Sequence, residues 1–538
     1  MPHQISKRKI SAAVMCAIVA LGASLSGCND KKPTVELLKD AQQYEQKGDR
    51  KAALIQLKNA VAQSPEDGEA RLRLGTLQLA MGDTVSADKE LRKAASLGVK
   101  PSQTLPLLAK VMHSQGQYKQ LVDEVTPEAA KGSAQLLAMR GDALLTLGNT
   151  ADAKNAYDQA LAINPKLGEA LTGMARYSVM QHDKEAAERY TAEALAKDPN
   201  NPEVWMFSGT MLRAEGKLDE SLAAFDKALA LQPEHRTAHI EKAFIEIDQG
   251  KFAAAKTDVD AARKNAPGNL LVTYTEAMLD FTQGKFGAAQ ESLQKVLKSA
   301  PDHLPSILLA GAVELNLGAT QQAEQHLRKY LEANPNNIYA RKLLAQVLLK
   351  GSQPGDAVAA LAPALKEPTQ DAQLLALAGE SYMQVREFDK ASAYFEKAAA
   401  LAPKAAVVHT SLGLSRLNQG QQEKAVSELQ LATELDPKSA SAGFALVQAQ
   451  VGLKQYDKAL ATVQKLEQAQ PQSAPVQNLK GGVYLSKGDV PAARAAFEKA
   501  VSLQPTYFTA VTNLAQLDVQ DKKPDAAKAR FEAFLKNE

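Results

Sequence analysis

The chain has 538 residues, 45% apolar, 23% charged and 5% aromatic, with 63 Lys and Arg against 61 Asp and Glu. Setting aside Lys7, Arg8 and Lys9 leaves a near-neutral chain, without the basic field that nucleic-acid binding needs and too apolar for bulk disorder. Both cysteines, Cys16 and Cys28, stand near the start, so the rest has no thiol for a disulfide, a Cys-ligated zinc, an iron–sulfur cluster or a cysteine nucleophile.

The first element is a targeting signal. Lys7, Arg8 and Lys9 precede an apolar stretch from Ile10 to Leu25. It is short and rich in Ala, Gly and Ser, whereas a spanning helix wants roughly 20 strongly apolar residues. Residues 1–27 therefore read as a signal peptide. Its end, Leu25-Ser26-Gly27-Cys28, resembles the bacterial lipobox, which implies cleavage before Cys28 and lipidation of that residue. An ordinary signal with a chance cysteine is the plainer alternative. Several acyl chains anchor stably because each buried CH₂ contributes roughly 0.8 kcal/mol. Residues 28–33 form the lipidated Cys and a short tether, and the five after Cys28 span at most about 18 Å. Asn29 after the cysteine favours the outer membrane by analogy with enterobacterial lipoproteins, and Asp30 weakens that preference. The expectation is a lipid-anchored, periplasm-facing protein of a Gram-negative envelope, the outer membrane preferred to the inner.

From residue 34 onward one period organises the chain. Prolines stand at 165, 199, 233, 267, 301 and 335, each 34 residues after the last, and again at 403, 437, 471 and 505, with Pro368 near its place. Proline has no N–H and disfavours helix in the residue before it, so each marks a helix end. Eight residues into a unit stands Gly or Ala, as at Gly141, Gly209, Ala243, Gly379 and Gly481. Seven further on is usually Gly, as at Gly148, Gly216, Gly318 and Gly488. An Ala, an aromatic or Leu, and a second Ala follow, as at Ala153, Tyr157 and Ala160. Small residues let two antiparallel helices approach, Gly turns between them, and larger residues fill the seam.

This pattern resembles the tetratricopeptide repeat, including Trp205 at that family's Trp position. The resemblance implies an all-α fold over 34–538, a solenoid of about fifteen antiparallel helix pairs in a right-handed superhelix held by nearest-neighbour interfaces. Pro202, Pro305, Pro475, Pro491 and Pro524 fall in expected first turns, where Pro is tolerated. Pro127 and Pro363 fall inside second helices. They predict shortened helices near 102–133 and 351–368, which either bend the stack or are absorbed by it. The chain ends at Phe534-Leu535-Lys536-Asn537-Glu538, one residue short of the next Pro and with no capping helix. This suggests either part of a longer array or an end that packs on another molecule.

Five strings exceed what the repeat requires: AALIQLKNAV (52–61), LRLGTLQLAMGD (72–83), DHLPSILLAGAVEL (302–315), YARKLLAQVLLKGSQPGDAV (339–358) and DAQLLALAGESYM (371–383). Together with the lipobox they resemble the TPR-repeat lipoprotein of exosortase/PEP-CTERM systems. That resemblance implies a role beside exopolysaccharide biosynthesis and protein-sorting functions. Members are usually longer, which implies a missing C-terminal portion.

Motifs for chemistry are absent: no G-x-x-x-x-G-K-[ST], G-x-S-x-G or H-E-x-x-H occurs. Only His235 and His239 among eight histidines have i,i+4 spacing, with no further ligand evident. No cofactor is expected, and the chain reads as a non-enzyme. Binding remains. In the repeat family, positions 2, 5, 9 and 12 of the first helix line the concave face, a spacing that puts them on one stripe. Here they include Ile240, Phe244, Ile247, Tyr274, Met278 and Phe281, the candidate groove, unless neighbouring helices cover them. The reading is a membrane-anchored scaffold for other proteins of a polysaccharide or protein-sorting machinery. A general periplasmic chaperone or outer-membrane assembly factor is the alternative, and glycan binding is a third reading.

Overall fold

The computed structural model describes residues 32–536 apart from Pro267. The signal segment with Cys16 and Cys28, the adjoining Asn29 and Asp30, and the terminal Asn537 and Glu538 lie outside the described residues, as does Pro267. Among the described residues the chain forms thirty α-helices, α1 (Thr34–Gln46) to α30 (Pro524–Leu535) in chain order, and one 3₁₀ turn, Ala362–Leu365. They make fifteen pairs, and no strand is present among the described residues. First helices begin where the period places them, as in α11 (Pro202–Ala214), α15 (Leu270–Thr282) and α19 (Ile338–Lys350).

Local chemistry sets these boundaries. Asp67 accepts N–H bonds from Glu69 and Ala70 at 2.9 and 3.1 Å, and Asn337 accepts from Ala340 at 2.9 Å, so short polar side chains cap the first turns. Between the helices of a pair the fifteenth residue is left-handed. Gly148 has φ +81° there, and five repeats hold the same conformation without glycine, at His182, Ser352, Arg386, Lys454 and Lys522. Only the turn's geometry, imposed by the two packed helices, explains a non-glycine residue at that angle.

Within a pair the eighth and twenty-fourth residues are matched in size. A Cβ on Gly209 would lie 2.4 Å from Phe225 Cε1, and one on Gly481 2.4 Å from Phe497 Cε1. In some pairs whose twenty-fourth residue is aliphatic, alanine stands opposite, as in Ala243 with Val259 and Ala277 with Leu293, all buried, and in others glycine does, as in Gly311 with Leu327. Tyr157 is wedged between Gly141 and Gly173, and its hydroxyl donates to Asp142 at 2.6 Å. Burial, reinforced by the Asp142 charge, pushes that phenol far above its ordinary range.

A second coupling joins the eleventh and twenty-third residues of a repeat, which face each other across the pair. Asp518 with Arg530 (2.5 Å), Arg416 with Glu428 (2.8 Å) and Glu314 with His326 (2.8 Å) are charged or polar versions. Gln450 with Thr462 (2.9 Å) is neutral, and Tyr382 stacks on Tyr394 with centroids 5.4 Å apart and planes 5° from parallel.

Both internal prolines do shorten their helices. α6 (Tyr118–Glu124) has 7 residues and α20 (Pro354–Leu361) has 8, against 13 or 14 in regular repeats such as α1 and α19 or α2 (Arg50–Gln63). The breaks are absorbed locally. Leu121, Val125 and Ala130 stay fully buried, and an arginine takes carbonyls that the missing turns leave open. Arg140 donates to the Val122 and Val125 carbonyls at 2.5 and 2.8 Å, and Arg341 donates to the Ala360 carbonyl at 2.7 Å.

The chain divides into two compact units, residues 1–245 and 246–538, with the boundary inside α13 (Arg236–Asp248). In each unit every second helix packs on the first helix of the next pair, and first helices of successive pairs also touch one another. Each unit is thus a stack with the first helices side by side along one face. Among the described residues no helix is long and apolar enough to cross a membrane.

Candidate functional site

The six groove residues are divided between the units. Ile240 and Phe244 belong to the first, and Ile247, Tyr274, Met278 and Phe281 to the second. Ile240 and Ile247 are buried, 1% and 4% exposed, so they pack into seams. Phe244 is half-buried with the Arg213 guanidinium over its ring at 5.9 Å. Tyr274 is half-buried and meets His303 edge-on at 5.5 Å; burial raises its phenol pKa. Met278 and Phe281 keep part of their surface, and Phe281 tilts against Phe286 at 5.8 Å. Cys28, the lipidation residue, lies outside the described residues.

Of these six, Phe281 opens onto a cavity within the second unit. Three further first helices continue its wall: α17 (Leu304–Leu317), α19 and α21 (Ala372–Gln384). The cavity measures about 490 Å³, within the range of ligand sites. Leu315, Leu343, Leu349 and Leu377 form a largely buried floor. Tyr339, 50% exposed, stands at the side, and burial of its hydroxyl end raises its pKa. Asn316, Gln346, Lys350, Glu380 and Gln384 supply the polar atoms.

These polar groups are sparsely engaged. Asn316 donates Nδ2 to the Ala312 carbonyl at 2.8 Å, one turn back on its own helix, which leaves Oδ1 as an acceptor. Lys350 reaches the Leu315 carbonyl at 3.5 Å. Partial desolvation raises the Glu380 carboxyl pKa, although the residue as a whole is exposed. Lys342, on α19 with Lys350, is already committed to Asp371 and Gln373, each at 2.9 Å.

The stripe read from the sequence over 236–303 stops short of this cavity. Continued into the next repeats at the same positions, it reaches Leu315, Tyr339, Gln346, Leu349 and Glu380. The period was therefore a sufficient signal for these residues. Asn316, Lys350 and Gln384 sit one place beyond the stripe, and only the tilt of packed helices brings them to the groove.

The histidine pair serves structure. His235 Nδ1 accepts the Ala238 N–H at 3.2 Å, which leaves Nε2 to donate to Glu203 at 3.1 Å. His239 Nε2 meets the Pro233 carbonyl at 2.9 Å. Among the described residues no group of three or more His, Cys, Asp or Glu side chains could hold a metal ion.

Residues 144–209 and 280–347 match one family described as tetratricopeptide repeat, 376–440 and 202–235 match two others of that description, and 411–506 match the tetratricopeptide repeat-like domain. The chain is a tetratricopeptide-repeat protein. Such repeats bind other proteins, and the fold typically serves as a non-catalytic scaffold. This repeat protein is 24% identical over 259 residues to Protein FlbA of Caulobacter vibrioides, covering 41% of this chain and 43% of FlbA. It is 31% identical over 128 residues to Cellulose synthase operon protein C of Komagataeibacter xylinus, covering 23% of this chain and 10% of that protein. The tetratricopeptide-repeat chain thus spans less than half the length of either relative. Among solved structures, it is similar to a chain of the APC/C hetero-tetramer Cut9-Hcn1, at 17% identity and a TM-score of 0.38, covering 90% of this chain and 96% of that one.

Proposed function

We propose that this protein is a membrane-anchored, periplasm-facing scaffold that docks protein partners along its first-helix groove, in exopolysaccharide biosynthesis or export or in PEP-CTERM protein sorting. The observation that carries the reading is the groove from Phe281 to Gln384, a concave, apolar-floored surface with open polar groups on a repeat fold that binds proteins. The Cys28 lipobox supports the anchor, and the likeness to a protein named for a cellulose synthase operon supports the polysaccharide context. Tethering through Cys28 keeps the protein at the membrane, and docking in its groove raises the local concentration of the partner without a chemical step. No catalysis is assigned.

A photo-crosslinking residue at Phe281 or Tyr339, in cells with Cys28 intact, tests this. One dominant protein adduct is the expected result and identifies the partner. A ladder of many adducts favours the general chaperone, and no adduct at either position, with expression normal, removes the groove from the mechanism. Cys28→Ala should release the protein from membranes, and retention in the membrane pellet counts against the anchor.

A further inference from the structure

The repeat at 440–473 lacks a side chain that its neighbours have. In the repeat at 202–235 the fourth residue, Trp205, packs in one cluster with Ala228 and donates its indole N–H to the Pro199 carbonyl at 2.8 Å. At 440–473 the sizes are exchanged: the fourth residue is Gly443, and Leu466 stands in place of the alanine. A Cβ on Gly443 would lie 2.6 Å from Leu466 Cδ2, so the leucine covers the root of the missing side chain. Beyond it a cavity of about 530 Å³ opens between α24 (Gln422–Leu435) and α26 (Tyr456–Ala469), behind α25 (Ala440–Gly452), and its size is that of a ligand site. Gly443 and Pro437 both line it, and they are the counterparts of the two residues that the Trp205 bond joins.

The Pro437 carbonyl accepts no hydrogen bond among the described residues. Lys465, at the position from which Lys329 serves Pro301, lines the cavity without a bond of its own. The carbonyls of Pro471 and Pro505 are also unclaimed among the described residues, but there Gln477 and Val511 fill the fourth position and are buried. At Pro437 the open acceptor adjoins apolar walls from Leu446 and Leu466, both buried. Lys458 and Lys465 on the rim have no ion-pair partner among the described residues, and Glu434, the one carboxylate of the lining, takes the Gln430 amide at 3.2 Å. Of the donors that serve repeat prolines elsewhere, arginine would bring a cation, and histidine a polar ring, against these two ammonium groups. An indole buries its ring on the leucines and offers its face to a lysine.

We propose that this cavity receives a tryptophan side chain of a partner protein, whose indole N–H donates to the Pro437 carbonyl as Trp205 donates to Pro199 within the chain. Trp205 is the one tryptophan of the sequence and is already engaged, so neither this chain nor a second copy supplies the ring. The cavity lies behind the first-helix groove. Gly443, Leu446 and Gln450 stand at the fourth, seventh and eleventh positions, on the far side of the helix from the second, fifth, ninth and twelfth. A partner here is thus separate from any partner in that groove.

The test displays random peptides of about twelve residues, ~40 Å when extended, on phage and selects them on the full chain in detergent. Counter-selection uses Gly443→Trp combined with Leu466→Ala, which restores the large fourth and small twenty-seventh residues of the 202–235 repeat and fills the cavity from within. Circular dichroism checks that this double variant keeps its helices. Enrichment of one tryptophan position is expected. In fluorescence anisotropy a selected, fluorescein-labelled peptide should bind the parent and lose about tenfold or more in affinity for the double variant. Replacing its tryptophan by 1-methyltryptophan keeps the ring and removes the donor, and should weaken binding to the parent about three- to tenfold. That change is made in the peptide, so a misfolded variant cannot mimic it. Selected peptides without tryptophan, equal binding to parent and double variant, or equal binding of the methylated peptide each overturn the proposal. Free indole that binds as tightly as the selected peptide overturns the partner protein as the source of the ring.

Discussion

The indole N–H of Trp205 donates to the carbonyl oxygen of Pro199, six residues back, at 2.8 Å. The same step recurs in four further repeats, whose fourth residue is Arg or His. Arg71 reaches Pro65 at 2.6 Å, His239 reaches Pro233 at 2.9 Å, Arg341 reaches Pro335 at 2.9 Å and His409 reaches Pro403 at 3.1 Å. In two repeats whose fourth residue is aliphatic, Leu171 and Ile307, a lysine of the following second helix serves instead: Lys197 for Pro165 at 3.2 Å and Lys329 for Pro301 at 2.9 Å. The repeat proline ends a helix, its carbonyl is left over, and a side chain of the next pair claims it. Trp at this family position is thus one solution to a donor requirement.

Trp205→Phe keeps the ring and removes the donor, so it should cost about 0.5–1.5 kcal/mol. Hydrogen exchange on peptides spanning 199–214 reads the loss locally, which suits an array whose repeats need not unfold together. Unchanged protection there would mean that water replaces the indole at no cost.

Gly209→Ala should destabilise its pair by about 1–3 kcal/mol, because the new Cβ would stand 2.4 Å from the Phe225 ring. Gly482→Ala is the matched control. Nothing lies within 4 Å of a Cβ built there, and alanine is the better helix former by roughly 0.5–1 kcal/mol. Thermal melts should move in opposite directions.

Lys454 holds φ +57° at the turn where other repeats have glycine, and its side chain is exposed. Lys454→Gly should therefore stabilise this pair by about 0.5–1 kcal/mol, the relief of left-handed strain exceeding the added freedom of the unfolded chain. A higher melting temperature is expected, and a lower one would place the turn's stability in the lysine side chain.

Glu467 ties α26 (Tyr456–Ala469) to the next two helices, accepting from Lys480 at 2.9 Å, Gln477 at 2.6 Å and Lys499 at 3.0 Å. Those three donors, Lys480 foremost, lower its pKa from 4.5 to about 2. A depressed carboxylate stabilises the fold above its unfolded pKa and loses that contribution as pH falls through the folded value. Glu467→Gln should cost about 1–2 kcal/mol at pH 7, after allowance for its partial exposure. The gap to the parent should close between about pH 4.5 and about pH 2. A gap that is constant with pH would assign the effect to packing.

Much of the fold was legible in the sequence because its rules act within one repeat. The prolines that recur every 34 residues, the small eighth residue such as Gly209 and the glycine at the turn each act within a single repeat, where relative placement follows from two helices and one turn. Proline's missing N–H likewise fixed where α6 and α20 stop. Arg140 could not be read as the residue that serves the open carbonyls, because its reach to Val122 depends on how one pair stacks on the next.

The candidate site shows the same division. Sequence alone determined that a stripe of first-helix positions faces one side, and it supplied Phe281. Only the tertiary structure decided that this stripe opens into a cavity between Phe281 and Gln384, and that Lys350, Glu380 and Gln384 line it. Periodicity specifies each helix's inward face, but what meets across that face depends on the rotation and spacing of helices from four successive repeats. Those are set by side-chain packing at every seam between them.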